Sequence, residues 1–227
     1  MRLIRGLSRA QVEGIERAQQ ERPFTSVADL ARRSGAARVT LFRLAAADAM
    51  QSLGLDRRQA AWEVLALGAD PQMFEEYEPI EPTPALPELS LEDTVREDYS
   101  TIGLSLHAHP MALIREDLAR LGAQPTRILQ HTRHGQWVTV AGMVLVRQRP
   151  GTASGVVFCT LEDETGIANL IIRPQYYEKY RRTARGAAVL VAKGRVERQG
   201  DVIHLNVTHL SDASRKAPAQ AKSRDFH

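Results

Sequence analysis

Residues 151–173 read GTASGVVFCTLEDETGIANLIIR. Two runs rich in β-branched residues flank the acidic turn EDETG, with glycines at both ends of the loop that precedes them. Val157, Cys159 and Leu161 alternate with Phe158 and Thr160, which is the period of a strand with one face in a core and the other outside. A second such strand follows after only three turn residues, so the stretch reads as a β-hairpin.

The same period extends on both sides. Upstream, WVTVAGMVLVRQR (137–149) reads as a long first strand, bent at Gly142, and PGTASG (150–155) as the loop leading to a second strand, 156–163. A turn at 164–166 joins it to a third strand, 167–173. Pro174 opens a helix carrying Tyr177, Lys179, Tyr180, Arg181 and Arg182. AAVLVAKGRVERQ (187–199), a tight QGD turn and VIHLNVTHL (202–210) supply strands four and five. Three strands, a helix and two strands is the order of a five-stranded oligonucleotide-binding barrel, the OB-fold.

In such barrels the face of strands two and three and the loops between strands one and two and between four and five form the ligand groove. Arg147 and Arg149 are therefore candidates for phosphates, with Gly151, Ser154 and Gly155 allowing close backbone approach. Phe158 either stacks a base or fills the barrel, and Thr160 shares its face. Lys193 and Arg195 on the fourth strand complete the candidate set. Glu162, Asp163 and Glu164 fall in the hairpin turn and are expected to be solvated there. Cys159 is the only cysteine; it is expected as a small buried side chain, without disulfide or zinc chemistry.

The N-terminal third has the helical period instead. In LIRGLSRAQVEGIERA (3–18), Gly6 serves a tight turn and Ser8 with Gln11 has capping-box spacing. Val12, Ile15 and Ala18 recur on one face. The pattern is the second half of a helix-hairpin-helix with its first helix truncated. The helix N-terminus behind Gly6, Ser8 and Arg9 is a candidate for a nucleic-acid phosphate. Ser26 with Asp29 opens a second helix ending near Gly35. Val39, Phe42, Ala46 and Ala49 mark a third, closed by Gly54, and Asp56 opens a fourth through Trp62, Val64 and Leu65. Phe24, Phe42, Trp62 and the Leu41-Phe42 pair are expected in the core.

Residues 69–90 hold five prolines and read as a stiff acidic linker. Ser90 with Asp93 caps a helix through Tyr99, and a further helix is expected from Pro110 to Gly122. His107 and His109 precede it without a third metal ligand at useful spacing, so a turn and cap role is expected. The organisation is α+β and multidomain: a helical domain at 1–68, the linker at 69–90, connecting helices at 91–134, an OB-fold at 135–212 and a flexible basic tail at 213–227. Net charge over these stretches is +4 for 1–68, −9 for 69–100, +2 for 101–134, +3 for 135–212 and +3 for the tail. Basic regions flanking an acidic connector suit an anionic partner. Neither an 18-residue apolar run nor a signal-peptide core is present, which leads to an expectation of cytoplasmic location.

VRQRPGTASGVVFCTLEDETGIANLII (146–172), DYSTIGLSLHAHPM (98–111), AAADAMQSLGLDRRQAAWEVL (45–65) and the terminal SRDFH resemble the C-terminal part of the bacterial error-prone DNA polymerases related to the polymerase III α-subunit, the C family. That resemblance covers nearly the whole chain and implies its helix-hairpin-helix and OB-fold domains. For the family's whole proteins it implies DNA synthesis in damage tolerance and induced mutagenesis, with palm aspartates holding two magnesium ions. The palm motif is absent from this sequence, so no catalytic residue, metal or cofactor is expected on it. The sliding clamp and a Y-family-like accessory protein are the implied partners besides DNA, single-stranded or primer-template. Arg224, Asp225 and Phe226 in the tail are candidates for contact with such a partner. The alternative is a protein-interaction module whose barrel docks a polymerase accessory partner.

Overall fold

The computed structural model describes residues 3–67 and 86–218, and the backbone of 224–226. Most of the expected linker, residues 69–85 of 69–90, lies outside the described residues. The chain divides into two compact units, one formed by the residues up to Ser90 with Ser100–Leu104, the other by Leu91–Tyr99 with the residues from Ser105 onward.

The first unit is helical: α1 Arg9–Glu21, α2 Val27–Ser34, α3 Arg38–Ala46 and α4 Arg57–Ala66. Each start is set by the residue read as a cap, except at α3. Ser8 accepts from the Gln11 amide, Ser26 from the Asp29 amide, and Asp56 forms a reciprocal capping box with Gln59. Gln11 does not complete its own box, because its side chain accepts from the Ala37 amide instead. Ile15, Val27, Leu30, Leu41, Leu44, Ala45, Ala60 and Val64 form the core.

Two core expectations fail here. The third helix ends at Ala46, where Asp48 turns left-handed (φ 56°), so its inner face is Leu41, Leu44 and Ala45 while Val39 is 55% exposed. Trp62 is 46% exposed. With Ala60 and Val64 facing inward, position 62 falls on the opposite side of α4. Phe24 and Phe42 pack on the core from its edge, and Leu41 is buried as expected.

The second unit is a barrel of β1 Trp137–Gln148, β2 Val157–Asp163, β3 Gly166–Ile172, β4 Val189–Gln199 and β5 Val202–Asp212. β1 pairs with β4 through its first half and with β2 through its second, and β2–β3, parallel β3–β5 and β5–β4 close the ring. Val140, Val144, Leu161, Leu170, Leu190 and Leu205 fill it, with Cys159 among them. Gly142 sits where β1 changes partner; a Cβ there would meet the Glu162 carbonyl oxygen at 2.8 Å. The β4–β5 bulge uses Gly194 similarly, where a Cβ would run into the Asn206 carbonyl. This is the five-stranded mixed barrel of the OB-fold.

Four further helices lie between the linker and β1: α5 Leu91–Thr101, α6 Pro110–Leu113, α7 Arg115–Arg120 and α8 Ile128–His131. The single helix expected from Pro110 to Gly122 is broken at Ile114 into α6 and α7. His109 caps α6 by accepting from the Met111 amide, the role read for it. Residues 105–134 are more than a connection: Met111, Ile114, Leu118 and Ala123 pack on the outer side of Ala141, Met143, Val189 and Val191. β1 and β4 are thus covered on both faces there, which is why VAGMV lacks a clean alternation.

The hairpin turn is also unlike its expectation. Asp163 is buried at 3% exposure. It accepts from the Thr126 amide and hydroxyl at 2.7 Å each, from the Thr165 amide and hydroxyl, and from Gly166 N, and it pairs with Arg115 at 2.9 Å. Glu164 takes the other side of Arg115 at 2.7 Å. Burial pushes the Asp163 carboxyl up, but the hydrogen bonds from Thr126 and Thr165 outweigh it and hold it below the usual carboxylate range. Within the barrel sequence, two helices span the crossover from β3 to β4, α9 Pro174–Lys179 and α10 Arg181–Gly186, in place of the single helix expected.

The flexible tail from residue 213 is corrected in two places. Ala213 is buried with the α6–α7 cluster, and Ser214 accepts from the Ala188 and Val189 amides. Arg224–Phe226 forms β6, paired in parallel with Val146, Arg147 and Gln148 of β1. The backbone of the expected recognition element is therefore part of the sheet.

Candidate nucleic-acid interface

Strand alternation decides what the barrel offers outward. Val157, Cys159, Leu161 and Asp163 of β2 are buried, so Phe158, Thr160 and Glu162 face out; Ala168, Leu170 and Ile172 of β3 are buried, so Ile167, Asn169 and Ile171 face out. Phe158 is half-buried and outside the core cluster, beside Ile171 across the β2–β3 pair. The open choice at this position is resolved in favour of the surface. Thr160 donates to Asn169 at 3.3 Å, next along the same face.

Register then carries these side chains around the barrel. Phe158 is opposite Ile171, Ile171 opposite Asn206, Asn206 opposite Arg195, and Arg195 opposite Trp137. A parallel row runs from Thr160 through Asn169 and His204 to Glu197. The outer face thus bears an aromatic ring at each end, amides between them and cations along β4, a composition suited to stacked bases and a tracked phosphate backbone. Trp137 is 56% exposed. Lys193 and Arg195 are exposed and have no carboxylate partner among the described residues.

The end of β1 and the loop after it carry two candidate arginines in unlike surroundings, one exposed and one buried. Arg149 is exposed, with its guanidinium 4.9 Å from the centre of the Tyr177 ring, which holds it near Gly155. Ser154, also exposed, adopts the left-handed conformation of a tight loop (φ 48°). Arg147 is buried at 9% exposure, donating to the Ala184 carbonyl at 2.9 Å and to the Ala187 carbonyl. Its expected phosphate role is withdrawn, since it points inward and ties β1 to the end of α10. Alternation carried forward from Val138, Val140 and Val144 would put position 147 outside, but β1 bulges between Val144 and Val146 and its facing changes there.

Gly6, Ser8 and Arg9 belong to the helical unit. Gly6 has φ 78° and its carbonyl accepts from Arg43. Arg9 is exposed and pairs with Glu13 at 2.7 Å, an exposed contact worth about 0–1 kcal/mol. Ile171, Asn169, Asn206 and Trp137 were not singled out in the sequence; period-two alternation puts each on an outer face, but only register sets them in one row.

Among the described residues no cluster of three His, Cys, Asp or Glu side chains could hold a metal ion. Nor is any helix among the described residues long and apolar enough to cross a membrane.

Comparison with known proteins agrees with both units. Residues 138–213 match a family described as OB-fold nucleic acid binding domain, and residues 1–60 one described as helix-hairpin-helix motif. The chain is 47% identical to an error-prone DNA polymerase of Anaeromyxobacter dehalogenans (strain 2CP-C), over 99% of its own length and 20% of that protein. It is 46% identical to error-prone DNA polymerase 1 of Rhizobium meliloti (strain 1021), over 93% of its own length and 20% of that protein. The chain thus spans about a fifth of the curated relatives it matches, and is homologous to that fifth.

Proposed function

From this homology to a segment of error-prone DNA polymerases, we propose that the chain is a DNA-gripping, non-catalytic part of such an enzyme, acting in damage-tolerant synthesis, DNA repair and induced mutagenesis in the cytoplasm. Polymerisation and its magnesium ions are assigned, on this reading, to the remaining four-fifths of the whole protein. The barrel holds single-stranded template or the strand of a primer-template, and the helix-hairpin-helix adds sequence-independent phosphate contacts. The sliding clamp and a Y-family-like accessory protein are partners of the whole protein on the same reading.

The observation that carries the proposal is the row Phe158, Ile171, Asn206, Arg195 and Trp137 on the outer barrel face. An aromatic side chain outside the core cluster, aligned with an arginine that has no carboxylate partner among the described residues, suits a stacked base beside a phosphate. Anisotropy titrations of a labelled 20-nucleotide strand and of a primer-template, each at 50 and 200 mM salt, test the reading. Micromolar or tighter binding that weakens as salt rises supports it, with a slope of about −0.7 per phosphate contact on the single strand. Salt-insensitive capture of a purified accessory protein, with no affinity for either DNA, would replace it with the interaction-module reading.

A further inference from the structure

Beside the β2–β3 face lies a second concavity that neither the sequence nor the homology singles out. A cavity of about 390 Å³ opens between α9, β4, β5 and the segment before β1, lined among others by Arg173, Tyr176, Arg195, Glu197, Asn206 and Thr208. We propose that it is a mononucleotide subsite, holding one unpaired nucleotide of a bound DNA strand with its phosphate on Arg173 and Arg195 and its base against Tyr176. The proposal rests on the reading of the barrel as a DNA grip.

Charge and fixity argue for the phosphate. Arg195 is oriented by donating its Nε to the Gly135 carbonyl at 2.9 Å, which leaves its terminal nitrogens to a ligand. Arg173 is exposed, at the point where β3 gives way to α9. Neither has a carboxylate partner among the described residues, and two guanidinium groups lining one cavity suit a phosphodiester.

The other wall argues for a nucleotide over a bare anion. Tyr176 is half-buried, packed against the barrel core from outside, so its ring is held in place where it lines the cavity. Two positions along β4 from Arg195 and on the same face, Glu197 accepts from Asn206, and this hydrogen bond, with Gln199 and the neighbouring His134 and His204, keeps its carboxyl below the usual carboxylate range. An ionised acceptor disfavours a second phosphate but takes a base N–H donor, such as the cytosine amino group. The volume lies within the range of small-ligand sites.

Register makes the subsite continuous with the groove. Arg195 and Asn206 stand in the same row as Ile171 and Phe158. From β2 to β4 is three strand spacings, roughly 14 Å, a distance that a strand lying across the barrel covers with a few nucleotides.

The test uses the full chain and a fluorescein-labelled ten-residue oligodeoxycytidylate, titrated at several salt concentrations. Arg173→Ala is expected to weaken binding about tenfold and reduce the salt slope by about 0.7. Arg182→Ala, an exposed cation of α10 outside the cavity, should leave the slope unchanged. Tyr176→Phe should bind like wild type and Tyr176→Ala should not. Equal, small effects of R173A and R182A would overturn the subsite, and if Phe158→Ala still weakens binding the groove itself survives. A wild-type chain with no salt-dependent binding would overturn both. Equal melting temperatures for R173A and wild type exclude misfolding, as expected for an exposed side chain with no hydrogen bond among the described residues.

Discussion

Asp163 and Arg147 are two charged residues in the barrel whose roles are opposite to their appearance in the sequence. Asp163 sits in an acidic turn yet accepts hydrogen bonds from Thr126, Thr165 and Gly166 while paired with Arg115. Its folded-state pKa is lowered, so the stabilisation it gives is present above the ordinary aspartate range and is lost as pH falls through the folded-state value. Asp163→Asn keeps the shape but leaves Arg115 facing an amide; a loss of roughly 3 kcal/mol is expected at neutral pH in urea melts. The variant's stability should also decline less than wild type on acidification, and an unaltered acid limb would contradict the role.

Arg147 and Arg149 separate stability from binding. Arg147→Ala removes the donor to the Ala184 and Ala187 carbonyls, at about 1–3 kcal/mol. Its expected signature is a lower melting temperature with oligonucleotide affinity per folded molecule unchanged. Arg149→Ala should do the reverse, melting like wild type and binding DNA more weakly. Equal behaviour of the two variants in melting and titration would mean that the inward and outward assignments on β1 are wrong.

At the level of elements, the segment after β5 divides into a part that packs and a part that pairs. Truncation after Asp212 removes Ala213 from beneath α6–α7 and the Ser214 hydroxyl from the Ala188 and Val189 amides. A fall in melting temperature of roughly 5 °C or more is expected. Truncation after Pro218 removes, among the described residues, only the three-residue pairing of β6 with β1, and should shift it far less. Calorimetry of the two truncations distinguishes them, and equal shifts would contradict the division.

These elements also mark what was legible in the sequence. All five barrel strands were readable within a residue or two, because each is a run rich in β-branched residues with Gly or Pro close to at least one end, even where alternation lapses in β1 and β4. Unreadable were the break at Ile114, which no proline or glycine signals, and the three-residue β6, too short for a period. Trp62 misled because hydrophobicity is a one-way guide: large apolar residues lie on surfaces too. In the candidate site, Phe158, Arg149 and Arg195 were legible from strand order alone. Asn206, Ile171 and Arg173 were not, since cross-strand register depends on the bulges at Val144–Val146 and Lys193–Gly194.

Across the whole molecule, the helical unit and the barrel each have their own core, and the sequence carries −9 over residues 69–100. That negative charge is disfavoured near phosphate, so the proposed grip is assigned to the outer barrel face and the helix-hairpin-helix. The central claim is that DNA lies on the outer face of the barrel. Amide chemical-shift mapping of the 25.2 kDa chain during titration with a single-stranded decanucleotide tests it residue by residue. The account predicts the largest shifts at Phe158, Thr160, Asn169, Ile171, Arg195 and Asn206, with Val140, Leu161 and Leu205 in the core little changed. Shifts confined to the helical unit, or to the edge of β1 at Val146–Gln148, would contradict it.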